Sequence, residues 1–448
     1  MIKKNLSKIG IDGAIGYTVL ARIIQAGGGL ITLALIAIFL SKEEQGYYYT
    51  FGSIIAIQVF FELGLNGIIT QYVAHETVHL QWITATELSG SKEYLSRLSS
   101  LLHFCLKVFS VLAFILFIIL TFSGFIFFNK YKQGAANIQW QLPWILVALA
   151  TSLMLVINPL LAFFEGLGKV KEVAKIRFVQ QTVNILCIAL VFVFHGSLFA
   201  LGIASFVSFL ILMGSILLTY RKNLLLFIYY SIGEIRVDYW EEIFPYQWKI
   251  ALSWVSGYFI FQLFNPVLFA TEGAVVAGKM GMTLQALNGI SSLSMSWIST
   301  KIPLMSSLIA EKSYKKLDTI FNKTVSQLSF INILLIGVFI VLVVGFNYLK
   351  IPLGQRFLPI FPLILLCIVT FVNQFIFSWA TYLRCHKQEP FLVNSIVGGI
   401  LTASSTFLLG NFFGLMGIVL GYTCLTIFVG LPWGYLIFKT KKKCWHYG

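Results

Sequence analysis

The sequence predicts an all-α, polytopic membrane protein with about 12 transmembrane helices, and three observations support this fold class. Apolar residues make up 58% of the 448 residues, and charged residues only 11%. The mean hydropathy of +0.86 lies far from that of soluble globular domains. Long apolar runs recur along the whole chain. Their unbroken length indicates helices, because the strands of a membrane barrel would be short and alternating.

The apolar runs are long enough to cross the hydrocarbon core, which requires roughly 20 residues in a helix. The first run is expected to stay in the membrane, because it is too long for a cleavable signal and follows a short basic segment. The predicted spans cover residues 14–40, 47–73, 101–128, 142–164, 178–194, 198–218, 250–270, 280–298, 325–346, 361–383, 391–409 and 415–438.

The placement of the basic residues predicts the orientation of the spans. The chain has 32 Lys and Arg against 17 Asp and Glu. If the chain starts in the cytoplasm, most basic residues fall in cytoplasmic loops, as the positive-inside rule requires. The basic residues in the predicted external loops are Lys42, Lys130, Lys132, Lys279, Lys350 and Arg356. We therefore expect both termini in the cytoplasm, and we attribute the excess charge to anchoring at the anionic inner leaflet and not to nucleic-acid binding.

The loop lengths indicate an internal repeat. In each half of the chain they follow the order short, long, medium, medium or short, and very short. Both halves have six spans and start on the same side, as in the parallel type of transporter repeat. We expect an N-terminal six-helix lobe at residues 1–222, a cytoplasmic interfacial linker at 223–249 and a C-terminal six-helix lobe at 250–448, with a cavity between the two lobes.

The two long cytoplasmic loops, at residues 75–100 and 301–324, mix basic and apolar residues. In the second loop the apolar residues recur near helical spacing beside several lysines. This pattern predicts an amphipathic helix that lies on the inner membrane surface. Its apolar face would consist of Leu304, Leu308, Leu317, Ile320 and Phe321.

Polar residues at membrane depth are costly and usually face a cavity or a partner. Three helical faces carry them: Arg22, Gln25, Gly29 and Thr32 on the first span; Gln58, Glu62, Asn66 and Thr70 on the second; and Gln285, Asn288, Ser292, Ser296 and Ser299 on the eighth, which ends near Lys301.

Two interpretations of these faces remain open. In the structural one, Arg22 and Glu62 form an ion pair, and the amides and hydroxyls tie helices together. In the functional one, the faces line the cavity, where Arg22 and Lys301 attract an anionic group. Glu62 then orients Arg22 or takes up a proton.

Two Asn-Pro steps are weaker candidates, Asn158-Pro159 in the fourth span and Asn265-Pro266 in the seventh. Proline inside a helix frees a backbone carbonyl and bends the helix. Bends of this kind are useful in a bundle that rocks, although ordinary helix packing is the simpler explanation.

Known enzyme motifs are missing from the sequence. It has no GxSxG, Walker or HExxH pattern, and its six cysteines are scattered without metal-ligand spacing. We predict no catalytic residues, no metal site and no cofactor.

Several segments resemble a known family. Residues 41–49 (SKEEQGYYY), 61–66 (FELGLN) and 71–76 (QYVAHE) are similar to the opening of the bacterial O-antigen and polysaccharide repeat-unit flippases of the Wzx type. Residues 158–170 (NPLLAFFEGLGKV) and 281–285 (GMTLQ) are similar to later parts of the same family. Its superfamily also holds the MATE multidrug exporters, so the resemblance implies a MATE-like fold of two six-helix lobes.

The resemblance also implies a substrate, which is an oligosaccharide on undecaprenyl pyrophosphate that is turned from the inner to the outer leaflet of the bacterial inner membrane. Arg22 is then the first candidate for binding the diphosphate and Lys301 the second. The candidates for contacts with sugar hydroxyls are Gln58, Asn66, Gln285 and Asn288, and Gln25 and Glu62 complete the set of candidate substrate-binding residues. The implied partners are membrane lipids, a polysaccharide polymerase and a chain-length regulator.

Three alternatives compete with this interpretation. A cation-coupled multidrug exporter of the same fold should carry more acid in its cavity than Glu62 alone. A membrane glycosyltransferase or polysaccharide polymerase should show a large external loop or paired catalytic carboxylates, and the sequence shows neither. A scaffold for a polysaccharide-assembly complex is compatible with the sequence.

Overall fold

A computed structural model describes residues 27–84, 87–131, 138–220, 224–386 and 388–447. The chain in these ranges is almost entirely helical. The helices are α1 (Gly27–Phe39), α2 (Lys42–Ile55), α3 (Val59–Glu62), α4 (Leu65–Thr77), α5 (Lys92–Tyr131), α6 (Gln141–Gly166), α7 (Val170–Val193), α8 (Phe199–Tyr220), α9 (Leu226–Tyr230), α10 (Phe244–Phe261), α11 (Phe264–Glu272), α12 (Ala274–Ser299), α13 (Ile302–Ala310), α14 (Tyr314–Tyr348), α15 (Ile360–Arg384), α16 (Leu392–Cys424) and α17 (Leu431–Tyr447). Two short strands, β1 (Leu80–Trp82) and β2 (Leu88–Gly90), pair antiparallel.

Nine helical segments within the described residues are long and apolar enough to cross a membrane. The last of them, Leu392–His446, contains the final two predicted spans, which meet at a kink where Gly414 has φ 55° and ψ −137°. The predicted eighth span lies in α12, which is 26 residues long but is not among the nine. The predicted first span is described only from residue 27 onward. The structure therefore confirms a helical, multi-pass membrane protein.

The chain forms two compact units. Of the described residues, those within 27–28, 54–130 and 138–255 belong to unit 1, and those within 29–53 and 256–447, together with residue 131, belong to unit 2. Residues 29–53 thus pack with the C-terminal helices, although they belong to the first half of the sequence. The predicted lobe boundaries at 222 and 250, the cavity between the lobes and the orientation of the termini stay predictions.

In unit 1 the apolar helix α6 packs against α4 and α8, and α8 also packs against α7. Trp144 of α6 is fully buried, and its indole Nε1 donates to the carbonyl of Leu120 in α5 at 3.0 Å. The ring occupies the space beside Gly124, where any side chain would overlap the indole. This single glycine therefore brings α5 and α6 close together.

The segment between α8 and α10 lies against α5 in unit 1, and serines of α5 hold it there. Ser96 Oγ donates to the carbonyl of Ile235 at 2.6 Å, and Ser99 Oγ donates to the carbonyl of Tyr229 at 3.0 Å. Ser100 Oγ accepts from the backbone N–H of Val237 at 3.1 Å. The connecting segment is therefore bonded along its length to one helix.

In unit 2 the second long loop differs from its prediction. Residues 301–324 form α13 and the first turns of α14, which separate at Lys312 with φ 56°. Leu317 and Phe321 are buried against Tyr382 of α15 in an apolar core. The prediction of one surface-lying amphipathic helix is wrong, because the segment forms two helices and three residues of the predicted apolar face, Leu308, Leu317 and Phe321, are covered by protein, although Leu304 is exposed. Helical spacing of apolar residues cannot distinguish lipid from a neighbouring helix.

Candidate functional site

The helix of the second predicted span is interrupted near its middle. Residues Ala56–Gln58 form a 3-10 turn, and α3 ends at Glu62. Leu63 and Gly64 then adopt left-handed conformations with φ 46° and 70° before α4 begins. A left-handed leucine is strained, and strain of this kind concentrates at functional sites. The interrupted part of this span is therefore a candidate functional site.

Glu62 lies directly before the interruption, and its side chain is only 9% exposed. Asn158 of α6 donates from Nδ2 to Glu62 Oε1 at 3.0 Å. Asn66 donates from Nδ2 to Glu62 Oε2 over a longer distance of 3.5 Å. The positive charge of Arg177 in α7 also acts on this carboxylate. A buried carboxylate is thus stabilised by two amides and one cation of unit 1.

The predicted polar face of the second span continues toward α6. Thr70 Oγ1 donates to the carbonyls of Ala162 at 3.0 Å and Asn66 at 3.1 Å. Gly166 allows this approach, since a side chain there would crowd the carbonyl of Thr70 at 2.7 Å. Gln58 is half-buried in the 3-10 turn. Glu62 and Thr70 are therefore both hydrogen-bonded to α6.

A polar pocket of about 610 Å³ in unit 1 lies beside α4, at the predicted cytoplasmic end of the second span. Its volume lies within the range of ordinary ligand pockets. The pocket is lined by Ile68, Gln71, Tyr72, His75, Glu76, His79, Glu93, Tyr94, Arg97, Glu242 and Ile250.

Arg97 organises the charges of this pocket. Its Nε lies 2.9 Å from Glu76 Oε1, and its Nη2 lies 2.6 Å from Glu242 Oε2. One guanidinium thus joins α4, α5 and the segment that leads into α10. The sequence does not single out this group of charges, because its members lie in loops and helix ends and are far apart along the chain.

The rings of His79 and Tyr94 form one wall of the pocket. They are stacked, with their centroids 4.1 Å apart and 18° between their planes. A flat aromatic wall beside carboxylates and amides gives the pocket both an apolar surface and hydrogen-bonding groups.

The predicted residues of the eighth span lie in unit 2. Asn288 is exposed and lines a pocket of about 60 Å³ together with Asn373 and Tyr422, which are hydrogen-bonded to each other at 3.1 Å. This volume holds a few waters but is far below that of an ordinary ligand pocket. Gln285 is half-buried and donates to the carbonyl of Gly29 at 3.4 Å.

The serines at the C-terminal end of this polar face form hydrogen bonds within α12 itself. The hydroxyls of Ser296 and Ser299 donate to the carbonyls of Leu293 and Met295, one turn back in α12. Lys301 is exposed and directly precedes α13. The two serine hydroxyls are therefore partnered inside their own helix, whereas Lys301 is accessible.

Arg22 and Gln25 lie outside the described residues. The predicted ion pair of Arg22 with Glu62, and the predicted roles of both residues, therefore stay predictions. The structure brings Glu62 and Asn66 together in unit 1, and it places Gln285, Asn288 and Lys301 in unit 2.

The described chain is a polytopic helical membrane protein, and its fold is similar to that of solved MATE-family transporters. The MATE multidrug transporter DinF-BH, solved in complex with a small ligand, aligns with a TM-score of 0.64 and 14% identity over 97% of this chain and 96% of that chain. An inward-facing multidrug resistance MATE family transporter of the MOP superfamily aligns with a TM-score of 0.61 and 13% identity over 93% of this chain and 99% of that chain.

The lipid II flippase MurJ, in an inward closed conformation, shares the fold with a TM-score of 0.58 and 15% identity over 96% of this chain and 87% of that chain. The sequence matches no protein-family profile and no curated protein. At these identities the likeness establishes the fold, which MATE multidrug transporters and a lipid II flippase share.

Proposed function

We propose that the chain is a flippase, which moves an oligosaccharide linked to undecaprenyl pyrophosphate from the cytoplasmic to the outer leaflet of the bacterial inner membrane by alternating access. A diphosphate and a glycan cannot cross ~30 Å of hydrocarbon without a polar path, whereas the lipid tail can stay in the bilayer. The observation that carries the proposal is the pocket of about 610 Å³ at the predicted cytoplasmic end of the second span, where such a head group starts.

The lining of this pocket suits a ligand rich in hydroxyls. Glu76 and Glu242 share the guanidinium of Arg97, so much of their charge is compensated. Glu76 Oε2 is buried and has no hydrogen-bond donor among the described residues. The stacked His79 and Tyr94 rings offer an apolar wall to the face of a sugar ring.

The residues selected from the sequence keep their proposed roles. Arg22 and Lys301 would bind the diphosphate, and Gln58, Asn66, Gln285 and Asn288 would contact sugar hydroxyls. Gln25 would be a further substrate-binding residue. Glu62 would orient Arg22 or carry a proton. The sequence has no nucleotide-binding motif, so an ion gradient or the consumption of the product by a polymerase would give the transport its direction.

Cation-coupled multidrug export is the second candidate function. It is favoured by the buried carboxylate of Glu62 and by Glu93, which adds a negative charge to the pocket. A cationic dye would then be the transported molecule, and surface polysaccharide would not depend on the protein.

Deletion of the gene distinguishes these functions. Under our proposal, the surface glycan disappears and lipid-linked repeat units accumulate in the inner leaflet. Under drug export, the glycan is unchanged and cells become more sensitive to cationic dyes. If the lipid-linked units are missing altogether, the protein acts in glycan synthesis, and our proposal is wrong.

Complementation of the deletion strain tests the pocket itself. Tyr94→Ala removes part of the aromatic wall, so we expect it to restore less surface glycan than wild type at equal protein level. Tyr348→Ala is the matched control, since Tyr348 is 85% exposed in α14 of unit 2. Equal restoration by both variants would exclude the pocket as a glycan site.

A further inference from the structure

A tight glycine junction joins residues 46–49 of α2 to α12 within unit 2. A side-chain carbon at Gly46 would overlap the carbonyl of Ala274, and one at Gly278 would lie 2.9 Å from the backbone nitrogen of Gly46. A side-chain carbon at Gly281 would overlap Tyr49. The backbones of α2 and α12 therefore touch, and any larger residue would separate them.

Gln45 forms the polar centre of this junction, and its side chain is only 1% exposed. Its Nε2 donates to the carbonyl of Gly278 at 2.8 Å and to the carbonyl of Arg356 at 3.2 Å. Its Oε1 accepts from Arg356 Nη1 at 3.2 Å. One buried amide thus connects α2, α12 and the turn before α15.

Arg356 completes the junction by donating from Nη2 to the carbonyl of Leu40 at 2.6 Å. This bond fixes the loop between α1 and α2. Burial lowers the pKa of the Arg356 guanidinium from its ordinary value, and the charges of Glu43 and Glu44 oppose that shift. Lys42 adds a bond at the exposed rim, where its Nζ donates to Gln355 Oε1 at 2.9 Å.

The position of the junction suggests its role. Lys42, Lys279 and Arg356 all belong to loops that the basic-residue distribution predicts to be on the outer side. Hydrogen bonds from a guanidinium and an amide can break and re-form with water, whereas an apolar core would have to expose apolar surface. Backbone contact through glycines needs no rotamer change when the helices separate.

We propose that the Gln45–Arg356 junction is an outer gate, which closes the external end of the transport path in this state and separates when the protein opens outward. The proposal rests on transport by alternating access, as proposed above. It assigns the balance between closed and open states to these two side chains.

Distance measurement between two spin labels tests the gate without any substrate. Labels are attached at Ile38→Cys in α1 and Tyr348→Cys in α14, which replace side chains that are 72% and 85% exposed. The background carries serine at the exposed Cys424 and Cys444. The purified full chain is measured in lipid nanodiscs.

Gln45→Ala and Arg356→Ala should each raise the ratio of long to short distances about fivefold or more, because fivefold corresponds to about 1 kcal/mol and each variant removes more than one hydrogen bond. Lys42→Ala, which removes only the bond at the exposed rim, should change the ratio little. Unchanged distributions in folded Gln45→Ala and Arg356→Ala protein would overturn the proposal.

A crosslink provides the second test. A reversible thiol crosslinker between Lys42→Cys and Gln355→Cys should hold the gate shut, block glycan export and release it after reduction. If export continues in the crosslinked protein, these residues are not a gate. If the wild-type protein exports no glycan, the proposed function fails, while the distance measurement still decides whether the junction opens.

Discussion

The asparagines of the two Asn-Pro steps are hydrogen-bonded to different halves of the second predicted span. Their partners in that span differ in charge. In unit 1, Asn158 donates to the carboxylate of Glu62 at 3.0 Å. In unit 2, Asn265 donates to the hydroxyl of Ser53 at 3.0 Å. The same dipeptide thus supplies an amide donor to an ionisable partner in one unit and to a neutral partner in the other.

The backbone differs at the two anchors as well. Ser53 lies inside the regular helix α2, whereas Glu62 directly precedes the left-handed Leu63 and Gly64. A costly buried acid and a strained backbone in one place are typical of sites that serve function. We therefore propose that the anchor in unit 1 is under functional demand and that the anchor in unit 2 serves packing.

The largest effect is expected from Gly64→Val. A branched side chain at φ 70° is strained, and its first carbon would overlap Ile250. We expect a loss of roughly 2–5 kcal/mol in the free energy of unfolding, measured by thermal denaturation in detergent. Gly67→Ala is the control, because it has open space in α4 and should be neutral or stabilising. Equal stability of the two variants would show that the interruption is not needed.

Substitution of Glu62 should have the next largest effect. Glu62→Ala leaves the amide of Asn158 without its carboxylate, so we expect a loss of roughly 1.5–3 kcal/mol in unfolding free energy, together with reduced glycan export. Glu62→Gln keeps the shape and an acceptor. Export that survives in Glu62→Gln would assign a structural role to the residue, and export lost at normal stability would indicate that the charge or its proton is used.

A smaller effect is expected at the neutral anchor. Ser53→Ala and Asn265→Ala each remove one neutral hydrogen bond, so we expect each to cost about 1 kcal/mol of stability. The double variant should lose less stability than the two single variants lose in sum, because both single variants remove the same hydrogen bond. Export should follow protein level in all three variants. Export that falls much more than protein level would give both anchors a functional role.

The smallest effect is expected from Leu63→Gly. Glycine relieves the left-handed strain at φ 46°, but it also increases the entropy of the unfolded chain. The net change should be a stabilisation below about 1 kcal/mol, visible as a small rise in melting temperature. A drop in export at higher stability would show that the strain is used during transport.

Much of the fold could be predicted from the sequence, because membrane spans follow from length and hydropathy alone. The two Asn-Pro steps were also visible as helix irregularities. The interruption at Leu63 was not predicted, because a single glycine inside a span, such as Gly64, is compatible with a continuous helix. The grouping of residues 29–53 with unit 2 depends on glycine contacts that no periodicity reveals.

The candidate site was predictable only in part. Glu62 was selected because a buried acid is costly, but its described partners are Asn158 and Asn66, and the predicted partner Arg22 lies outside the described residues. The bonding partner of a buried side chain is set by which helices pack together. Helices that are distant in the sequence can be neighbours, and the spacing of residues in one sequence does not reveal this. The charges around Arg97 were hidden for the same reason.

Two helices of the described chain are much longer than a bilayer requires. α5 has 40 residues and α14 has 35 residues, which correspond to about 60 Å and 52 Å of helix against a hydrocarbon layer of ~30 Å. Both begin well before their apolar runs, so each carries a rigid overhang on the predicted cytoplasmic side. An overhang of about 15 Å acts as a lever, and a tilt of roughly 10° swings its tip by about 2.6 Å. Small rotations within the bilayer are thereby amplified where soluble proteins can reach them.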